Sequence, residues 1–166
     1  MKDFLKEQLE RVNYWLTFAE AKNGGLIAIN IAIVAVTIQI KAFSLSLTAI
    51  ICCLFLISSI ISLLSFYSNL RNKIKSPKKK IGNIDELNLL FYKDVAQINN
   101  SDIYLRLLEK RYNLAIEEKN SLIYRDFIVE IIVNSEIAVY KFNMFNKAML
   151  VDVFSVCVFI IGFIIA

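Results

Sequence analysis

The sequence predicts an all-α membrane protein, and three observations support this fold class. Hydrophobic residues make up 57% of the 166 residues, whereas a soluble domain is typically about half apolar. The excess is concentrated in three apolar runs, and two of them reach the ~17 residues that a spanning helix needs. No segment stands out with the alternating pattern of a half-buried strand. The predicted order is an N-terminal amphipathic helix, a two-span helical hairpin, a cytosolic helical region, and a third span continuous with a long cytosolic helix.

The apolar runs occupy residues 23–40, 42–70 and 153–166. The third run is long enough to span only if it begins near Ala148 and tolerates Asp152 close to one edge. We interpret the first run as a retained anchor rather than a signal peptide, because it begins only at residue 23 and no small-residue cleavage site follows it. The rival interpretation, core helices of a soluble protein, is disfavoured because the second run lacks a charged stripe.

Basic residues predict how the spans are oriented. Lysine and arginine that flank membrane spans stay on the cytoplasmic side. The link between the first two runs carries only Lys41, whereas six basic residues follow the second run, namely Arg71, Lys73, Lys75, Lys78, Lys79 and Lys80. The N-terminus and residues 71–147 are therefore predicted to be cytoplasmic. These lysines are expected to contact anionic lipid. The net charge is only +4, and no nucleic-acid partner is expected.

The N-terminal helix is predicted to run without a break into the first span. Its inward positions step by four and three residues, and they are Leu5, Leu9, Val12, Leu16, Ala19, Asn23, Leu26, Asn30 and Ile33. Gly24 and Gly25 would each cost about 1 kcal/mol in a water-exposed helix. In a bilayer, small residues let another helix approach closely. The polar residues Asn30 and Gln39 are predicted to face protein rather than lipid.

The segment between the second and third spans is predicted to be helical. Pro77 marks a linker, and Asn83 with Glu86 forms a capping-box pattern that opens a helix ending at about Ile98. A second helix is predicted from about Asp102 to Glu118. Residues 119–121 are predicted to form a turn before the last helix.

The stretch from Leu122 to the end contains no proline and is predicted to be one long helix. A seam of heptad spacing runs along it, through Ile128, Ile131, Ser135, Ala138, Phe142, Phe145 and Met149. The small residues Ser135 and Ala138 lie at the centre of this seam. Two interpretations stay open: two helices cross closely there, or the small residues leave space for a ligand beside Asn134.

These features divide the chain into five predicted segments. They are an N-terminal cytosolic amphipathic helix at 1–22, a two-span hairpin at 23–70, a basic linker at 71–82, a cytosolic helical sensor region at 83–147, and a third transmembrane helix at 148–166.

Catalytic chemistry has little support in this composition. The chain contains no histidine, and its three cysteines all lie in apolar runs, so we expect no metal site, no disulfide, no cofactor and no catalytic residue. Ligand binding is better supported, because tyrosines alternate with lysines and arginines across residues 92–141. Aromatic rings stack on bases and cations pair with phosphates, although such residues are also common at ordinary helix boundaries.

Three stretches together resemble a known family: RVNYWLTFAEAKNGGLIAIN at 11–30, NLLFYKDVA at 88–96 and NSEIAVYKF at 134–142. Their order, with a two-span hairpin and a late third span, resembles the transmembrane effectors of Pycsar antiphage systems. The resemblance implies a bacterial inner-membrane effector that senses a cyclic pyrimidine mononucleotide, cyclic UMP or cyclic CMP. It further implies that the activated protein impairs the membrane and causes growth arrest or cell death, as in abortive infection. The sequence departs from many relatives at Gly24–Gly25, where they have alanines.

Given this resemblance, the candidate ligand-binding residues lie near the cytosolic boundary of the first and third spans. Lys22 or Lys141 would pair with a phosphate, Glu20 or Asn134 would hydrogen-bond a pyrimidine edge or ribose, and Trp15 would stack on the base. Asn23 completes the candidate set. The competing interpretation is that Glu20 and Lys22 form structural ion pairs, and that Trp15 packs or lies in the interfacial belt.

We expect the effector to act on the lipid bilayer as a homo-oligomer, without enzymatic activity. The alternative function is a constitutive membrane scaffold that binds a protein partner on its cytosolic helices without nucleotide control.

Overall fold

The computed structural model describes residues 1–67, 86–98, 100–114 and 121–165. Within these residues the chain forms five α-helices and no strand. They are α1 (Lys2–Gln39), α2 (Leu45–Leu64), α3 (Tyr92–Val95), α4 (Ser101–Tyr112) and α5 (Ser121–Ile165). The all-α prediction is therefore confirmed. The basic linker, Asn83 and Lys119–Asn120 lie outside the described residues, and the five predicted segment boundaries stay predictions.

Three of the described helices are long and apolar enough to cross a membrane: Lys2–Gln39, Leu45–Leu64 and Leu122–Ile165. This agrees with the three predicted spans. The first and last also confirm that α1 and α5 are continuous helices, with 38 and 45 residues respectively. No proline interrupts either helix. Each helix buries side chains at regular intervals, and this tertiary packing stabilises a helix more than intrinsic propensity does.

Contacts divide the chain into two compact units. Unit 1 comprises Met1–Phe18 and Ser68–Tyr140, and unit 2 comprises Ala19–Tyr67 and Lys141–Ala166. Both α1 and α5 contribute residues to each unit.

Unit 2 contains α2 with the apolar parts of α1 and α5. Its hydrophobic cluster is built on Phe43, Ile51 and Phe55, against which side chains of all three helices pack. The turn between α1 and α2 is fixed at Ser44, whose hydroxyl accepts a hydrogen bond from the Leu47 N–H at 3.4 Å. This is the N-cap interaction that satisfies one free donor of a helix start. Many of the outward side chains of unit 2 are large and apolar, as a lipid-facing surface requires.

Unit 1 packs α3 and α4 with the first part of α1 and of α5. Gln8 is only 1% exposed, and its side-chain amide donates to the carbonyl of Leu90 at 3.1 Å. The Tyr104 hydroxyl donates to the neighbouring carbonyl of Leu89 at 2.7 Å. Burial raises the pKa of this tyrosine above its ordinary value, with a smaller contribution in the same direction from Tyr112.

The predicted helix at 83–98 is wrong over residues 87–91. The backbone there forms turns and bends, and from residue 86 onwards the α-helix of this segment is α3. The Asn88 side chain accepts a hydrogen bond from the Leu90 N–H at 3.0 Å. Such a bond from an asparagine side chain to nearby backbone competes with the backbone hydrogen bonds of a helix. Side chains of Gln8 and Tyr104 bind the carbonyls of residues 89 and 90. These contacts come from distant parts of the sequence, so local pattern did not predict them.

The second predicted cytosolic helix ends earlier than expected within the described residues, and positions 115–118 of that prediction lie outside them. Helix α4 begins after Asn100, whose side chain accepts from the Asp102 N–H at 2.7 Å, and it ends at Tyr112. Asn113 then adopts a left-handed conformation with φ of 53°. Asparagine tolerates this region better than most residues and often terminates a helix there.

The heptad seam of α5 is confirmed only in its first half. Ile128, Ile131, Ser135 and Ala138 are completely buried. Beyond Ala138 the buried positions change register. They are Lys141, Ala148, Asp152, Ser155 and Gly162, so that Phe142 and Phe145 are half-buried and Met149 is exposed. The buried face advances by three residues instead of four after Ala138, at the boundary between the two units.

The glycines do not act as predicted within one chain. A methyl group at Gly24 or Gly25 would meet no atom within 4 Å, so no helix of the described chain approaches there. The close approach is at Gly162 instead, where such a group would lie 2.9 Å from the Leu47 side chain. Gln39 is exposed, so within the described chain it does not face protein as predicted. Asn30 is 1% exposed and is confirmed as inward.

Candidate functional site

One polar group of unit 2 surrounds the buried Lys141 side chain. We call Glu20, Asn23, Ser65, Phe66 and Lys141 the Lys141 cluster. The Lys141 side chain is 5% exposed, and its ammonium lies 3.1 Å from a carboxylate oxygen of Glu20. It also donates to the Ser65 carbonyl at 3.1 Å and lies 5.0 Å from the centre of the Phe66 ring. A buried charge is tolerated only when it is paired in this way.

Asn23 joins α1 to the backbone of α5. Its side-chain nitrogen donates to the Ala19 carbonyl at 2.9 Å and to the Lys141 carbonyl at 3.1 Å. The residue is completely buried, yet its side-chain oxygen has no hydrogen-bond partner in the described chain. The Lys141 cluster therefore contains an unused buried amide acceptor as well as a cation.

Lys22 lies one residue before Asn23 and contacts aromatic rings of α5. Its ammonium is 4.8 Å from the centre of the Phe145 ring and 5.8 Å from that of Phe142. Both distances are within the range of a cation–π interaction. The competing interpretation expected Glu20 to form a structural ion pair, and Glu20 does so with Lys141.

Asn30, Ser58 and Asp152 form a second polar group in unit 2, which we call the Asn30 cluster. The Asn30 amide nitrogen lies 3.1 Å from the Ser58 hydroxyl oxygen and 3.1 and 3.2 Å from the two carboxyl oxygens of Asp152. Ser58 in turn donates to the Ala148 carbonyl at 3.1 Å. All three residues are at least 94% buried. One residue from each helix of unit 2 thus meets at a single polar contact inside an apolar segment.

Sequence reasoning missed two members of the Asn30 cluster. Asp152 was expected only at one edge of the third span, and Ser58 was one of many hydroxyls in the second run. The signal that could have identified them is the position of Asp152 within the third apolar run. A carboxyl group one turn inside such a run must find a polar partner on another helix. Asn30 was the available partner on the first span.

Two of the predicted ligand residues belong to unit 1 and have separate partners there. Trp15 packs on Tyr92, with ring centroids 5.4 Å apart and an angle of 32° between the rings. The Asn134 amide donates to the side-chain oxygen of Asn13 at 2.8 Å. Burial raises the pKa of Tyr92 above its ordinary value.

An aromatic surface extends from Trp15 along α1. Tyr14 and Phe18 are 66% and 40% exposed, and their rings are parallel with centroids 6.4 Å apart. Trp15 meets each of these rings nearly edge-on. Such a surface can stack on a nucleobase or lie in the interfacial belt of a membrane.

The structure thus brings together Glu20, Asn23 and Lys141, with Lys22 on neighbouring rings of the same unit. It places Trp15 and Asn134 in unit 1. Within the described ranges, no group of three or more histidine, cysteine or acidic side chains is arranged to hold a metal ion.

The fold and these polar contacts define a class of protein: an all-helical, multi-pass membrane protein with charged and amide side chains packed between its helices. Residues 4–166 match the family described as PycTM, the Pycsar effector protein domain. The chain belongs to this family, as the resemblance of its three stretches predicted, and membership supports a role in antiphage defence. No curated protein and no solved structure matches this chain.

Proposed function

We propose that this protein is an inner-membrane effector that binds a cyclic pyrimidine mononucleotide, cyclic UMP or cyclic CMP, and then impairs membrane integrity. Family membership across residues 4–166 carries this proposal. The three apolar helices supply the membrane target of the activity. The N-terminus and residues 71–147 face the cytoplasm in this proposal, where the nucleotide is available. The result is growth arrest or death of the infected cell.

The Lys141 cluster is the part of unit 2 that we propose contacts the nucleotide. A phosphate would take the place of Glu20 beside the Lys141 ammonium. The Glu20 side chain is 44% exposed, so it can rotate into water at little cost when it is displaced. The unused Asn23 oxygen would accept a hydrogen bond from a base or ribose. Lys22 would supply a second cation for the phosphate.

In unit 1 we propose Trp15 as a stacking residue and Asn134 as a hydrogen-bond partner of the ligand. Trp15 already contacts the rings of Tyr92, Tyr14 and Phe18, which would hold its indole in a fixed orientation for a base. The Asn134 amide is bonded to the neutral Asn13 side chain, and a ligand group would exchange for that partner.

A continuous helix provides the proposed coupling between ligand and membrane. Helix α5 carries Asn134, Lys141 and Asp152 without a break. A ligand shifts a protein only between states that it binds with different affinity. Binding that draws the Lys141 ammonium away from Glu20 and the Ser65 carbonyl would loosen the contacts between α5, α1 and α2. The loosened helices would then rearrange within a homo-oligomer.

Binding is tested first with the full-length protein in detergent, by thermal shift against a panel of cyclic nucleotides. A ligand at a hundred times its Kd stabilises the binding state by about 2.7 kcal/mol. We expect one pyrimidine cyclic nucleotide to raise the Tm selectively, and to be recovered chemically unchanged, as befits an effector without catalysis. A flat response across the panel contradicts the sensor role and favours the scaffold.

The ligand residues are tested by isothermal titration of single variants. Lys22→Ala and Lys141→Ala should each weaken binding of the selected nucleotide at least tenfold. Lys147→Ala is the matched control, because Lys147 is an exposed lysine on the same helix. If neither of the first two variants binds more weakly than the control, the proposed phosphate contact is wrong.

Membrane damage is tested with liposomes that contain the protein and a trapped dye. We expect dye or ion release only when the activating nucleotide is added. The contrary result is that the liposomes stay sealed at saturating nucleotide although cells expressing the protein stop growing. That result would contradict membrane impairment as the cause of growth arrest.

A further inference from the structure

We infer that the activated protein conducts small monovalent cations along the inward faces of its three apolar helices, and that Asp152 sets this preference. The inference rests on the proposed function, because it specifies what crosses the membrane once integrity is lost. It begins from the Asn30 cluster, in which α1, α2 and α5 each place one polar side chain at the same contact.

A row of small polar residues extends from this cluster along α2. Ser58, Ser62 and Ser65 follow each other at helical spacing, and all three are completely buried. Ser65 belongs to the Lys141 cluster, where its carbonyl accepts from the Lys141 ammonium. The row therefore connects the two polar clusters of unit 2 through one helix face. Asn30 lies seven residues beyond Asn23, or about 10 Å along α1 at 1.5 Å per residue.

The hydroxyls of this row are not fully bonded. The Ser62 and Ser65 hydroxyl oxygens have no hydrogen-bond partner in the described chain. In contrast, Thr37 and Ser155 each donate to the carbonyl four residues earlier, at 2.7 Å in both cases. An unpaired buried hydroxyl is costly in an apolar surrounding, and water or a partly hydrated ion would satisfy it when the helices separate. The serine hydroxyls could therefore line a conduction path for ions, and the packing of the three helices keeps this path closed.

Asp152 gives the path its charge. The apolar stretches 26–39, 45–64 and 148–165 contain no lysine or arginine and only one acidic residue, Asp152. In the part of the chain that the structure describes, its carboxyl group bonds to the neutral Asn30 amide, which supplies no compensating charge. Acidic side chains that line a pore favour cations and exclude anions. At the other end of the row the Lys141 ammonium is paired with Glu20 at 3.1 Å, and in the activated protein the nucleotide phosphate would take the place of Glu20. The ammonium therefore has an anionic partner in both states and does not reverse this preference.

The test is the reversal potential of currents in planar bilayers that contain the full-length protein, recorded in tenfold asymmetric KCl with cyclic UMP or cyclic CMP. A perfectly cation-selective path gives ~59 mV for a tenfold gradient. We expect a reversal potential that approaches this value with the sign of potassium, whereas rupture of the lipid gives a value near zero.

Variants assign the preference to Asp152. Asp152→Asn keeps the size and an oxygen for the Asn30 amide, and it should bring the reversal potential close to zero, whereas Asp152→Glu should retain the cation preference. Ser59→Ala is the control, since Ser59 bonds to its own helix at Phe55. Folding is checked by the Tm of each variant.

Wild-type currents without cation preference overturn the inference and leave membrane impairment intact. A cation preference that survives in folded Asp152→Asn overturns the role of Asp152. The complete absence of current from wild-type protein with either nucleotide overturns the inference together with the proposed membrane impairment.

Discussion

Lys141 and Glu20 form an ion pair across α5 and α1 in which the partners are buried to very different extents. The Nζ–Oε1 distance is 3.1 Å, and the side chains are 5% and 44% exposed. The lysine depends on its protein partners for solvation, whereas the glutamate retains access to water. This asymmetry determines what each substitution should cost.

Removing the lysine should destabilise the protein more than neutralising the glutamate. Lys141→Met retains most of the apolar side chain but loses a charged hydrogen bond to the Ser65 carbonyl, and such bonds contribute about 1.5–3 kcal/mol. Glu20→Gln keeps an acceptor oxygen beside the Lys141 ammonium and leaves the bond to the Ser65 carbonyl in place, so it should cost less, about 1 kcal/mol. Thermal unfolding in detergent without nucleotide measures both changes. An equal or larger loss for Glu20→Gln would contradict this assignment.

The Asn30 cluster should show strong coupling between two substitutions. Asn30→Leu leaves the buried Asp152 carboxyl without its amide donor, and Asp152→Leu leaves the amide without its acceptor, so each should cost about 1–2 kcal/mol. The double variant removes both unpaired groups and should be more stable than the sum of the single losses predicts. A double-mutant cycle on Tm measures the coupling. Additive losses would mean that the contact contributes nothing.

Glycine substitutions should have opposite effects at the two ends of the apolar segments. Gly24→Ala and Gly25→Ala should each stabilise the isolated subunit by up to ~1 kcal/mol, because alanine favours helix and nothing lies near either position. Gly162→Ala should destabilise, because its methyl group would lie 2.9 Å from the Leu47 side chain. Adding Leu47→Ala should reduce the steric penalty at Gly162. The readout is Tm at low protein concentration, and a loss at Gly24 or Gly25 would instead indicate a close partner there.

Stability of unit 1 should decline at high pH through Tyr104. Burial raises the pKa of Tyr104 above the ordinary tyrosine value of about 10. Its stabilising contribution is therefore fully present below pH ~10 and is lost as the pH rises towards the folded-state pKa, because the unfolded tyrosine ionises first. Tyr104→Phe loses the 2.7 Å bond to the Leu89 carbonyl and should be less stable at pH 8, by about 1 kcal/mol.

The same variant should lose less stability than the wild type between pH 9 and 11. Denaturant unfolding at several pH values, monitored by Trp15 fluorescence, compares the two slopes. Tyr14→Phe serves as the control because Tyr14 is 66% exposed. Parallel pH profiles for wild type and Tyr104→Phe would exclude Tyr104 as the source of the decline.

Local periodicity and composition were sufficient to determine the long helices. The four–three stepping from Leu5 to Asn30 predicted α1 across both units, and its inward positions are largely those that the structure buries. The absence of proline after residue 122 predicted α5 as one helix. These features depend on neighbours three and four residues away, so the sequence carries them directly. The family resemblance likewise rested on stretches that can be read locally.

Only the tertiary structure decided which side chains meet. The seam of α5 leaves the heptad register after Ala138 because Lys141, with a long side chain and a charge at its tip, reaches the Ser65 carbonyl and Glu20. Pattern analysis assigns a lysine to the exposed face. In the same way, Asp152 is buried because Asn30 lies opposite it, 122 positions away in the sequence. A buried polar group depends on a partner from another helix, and that partner is fixed by three-dimensional packing rather than by local sequence.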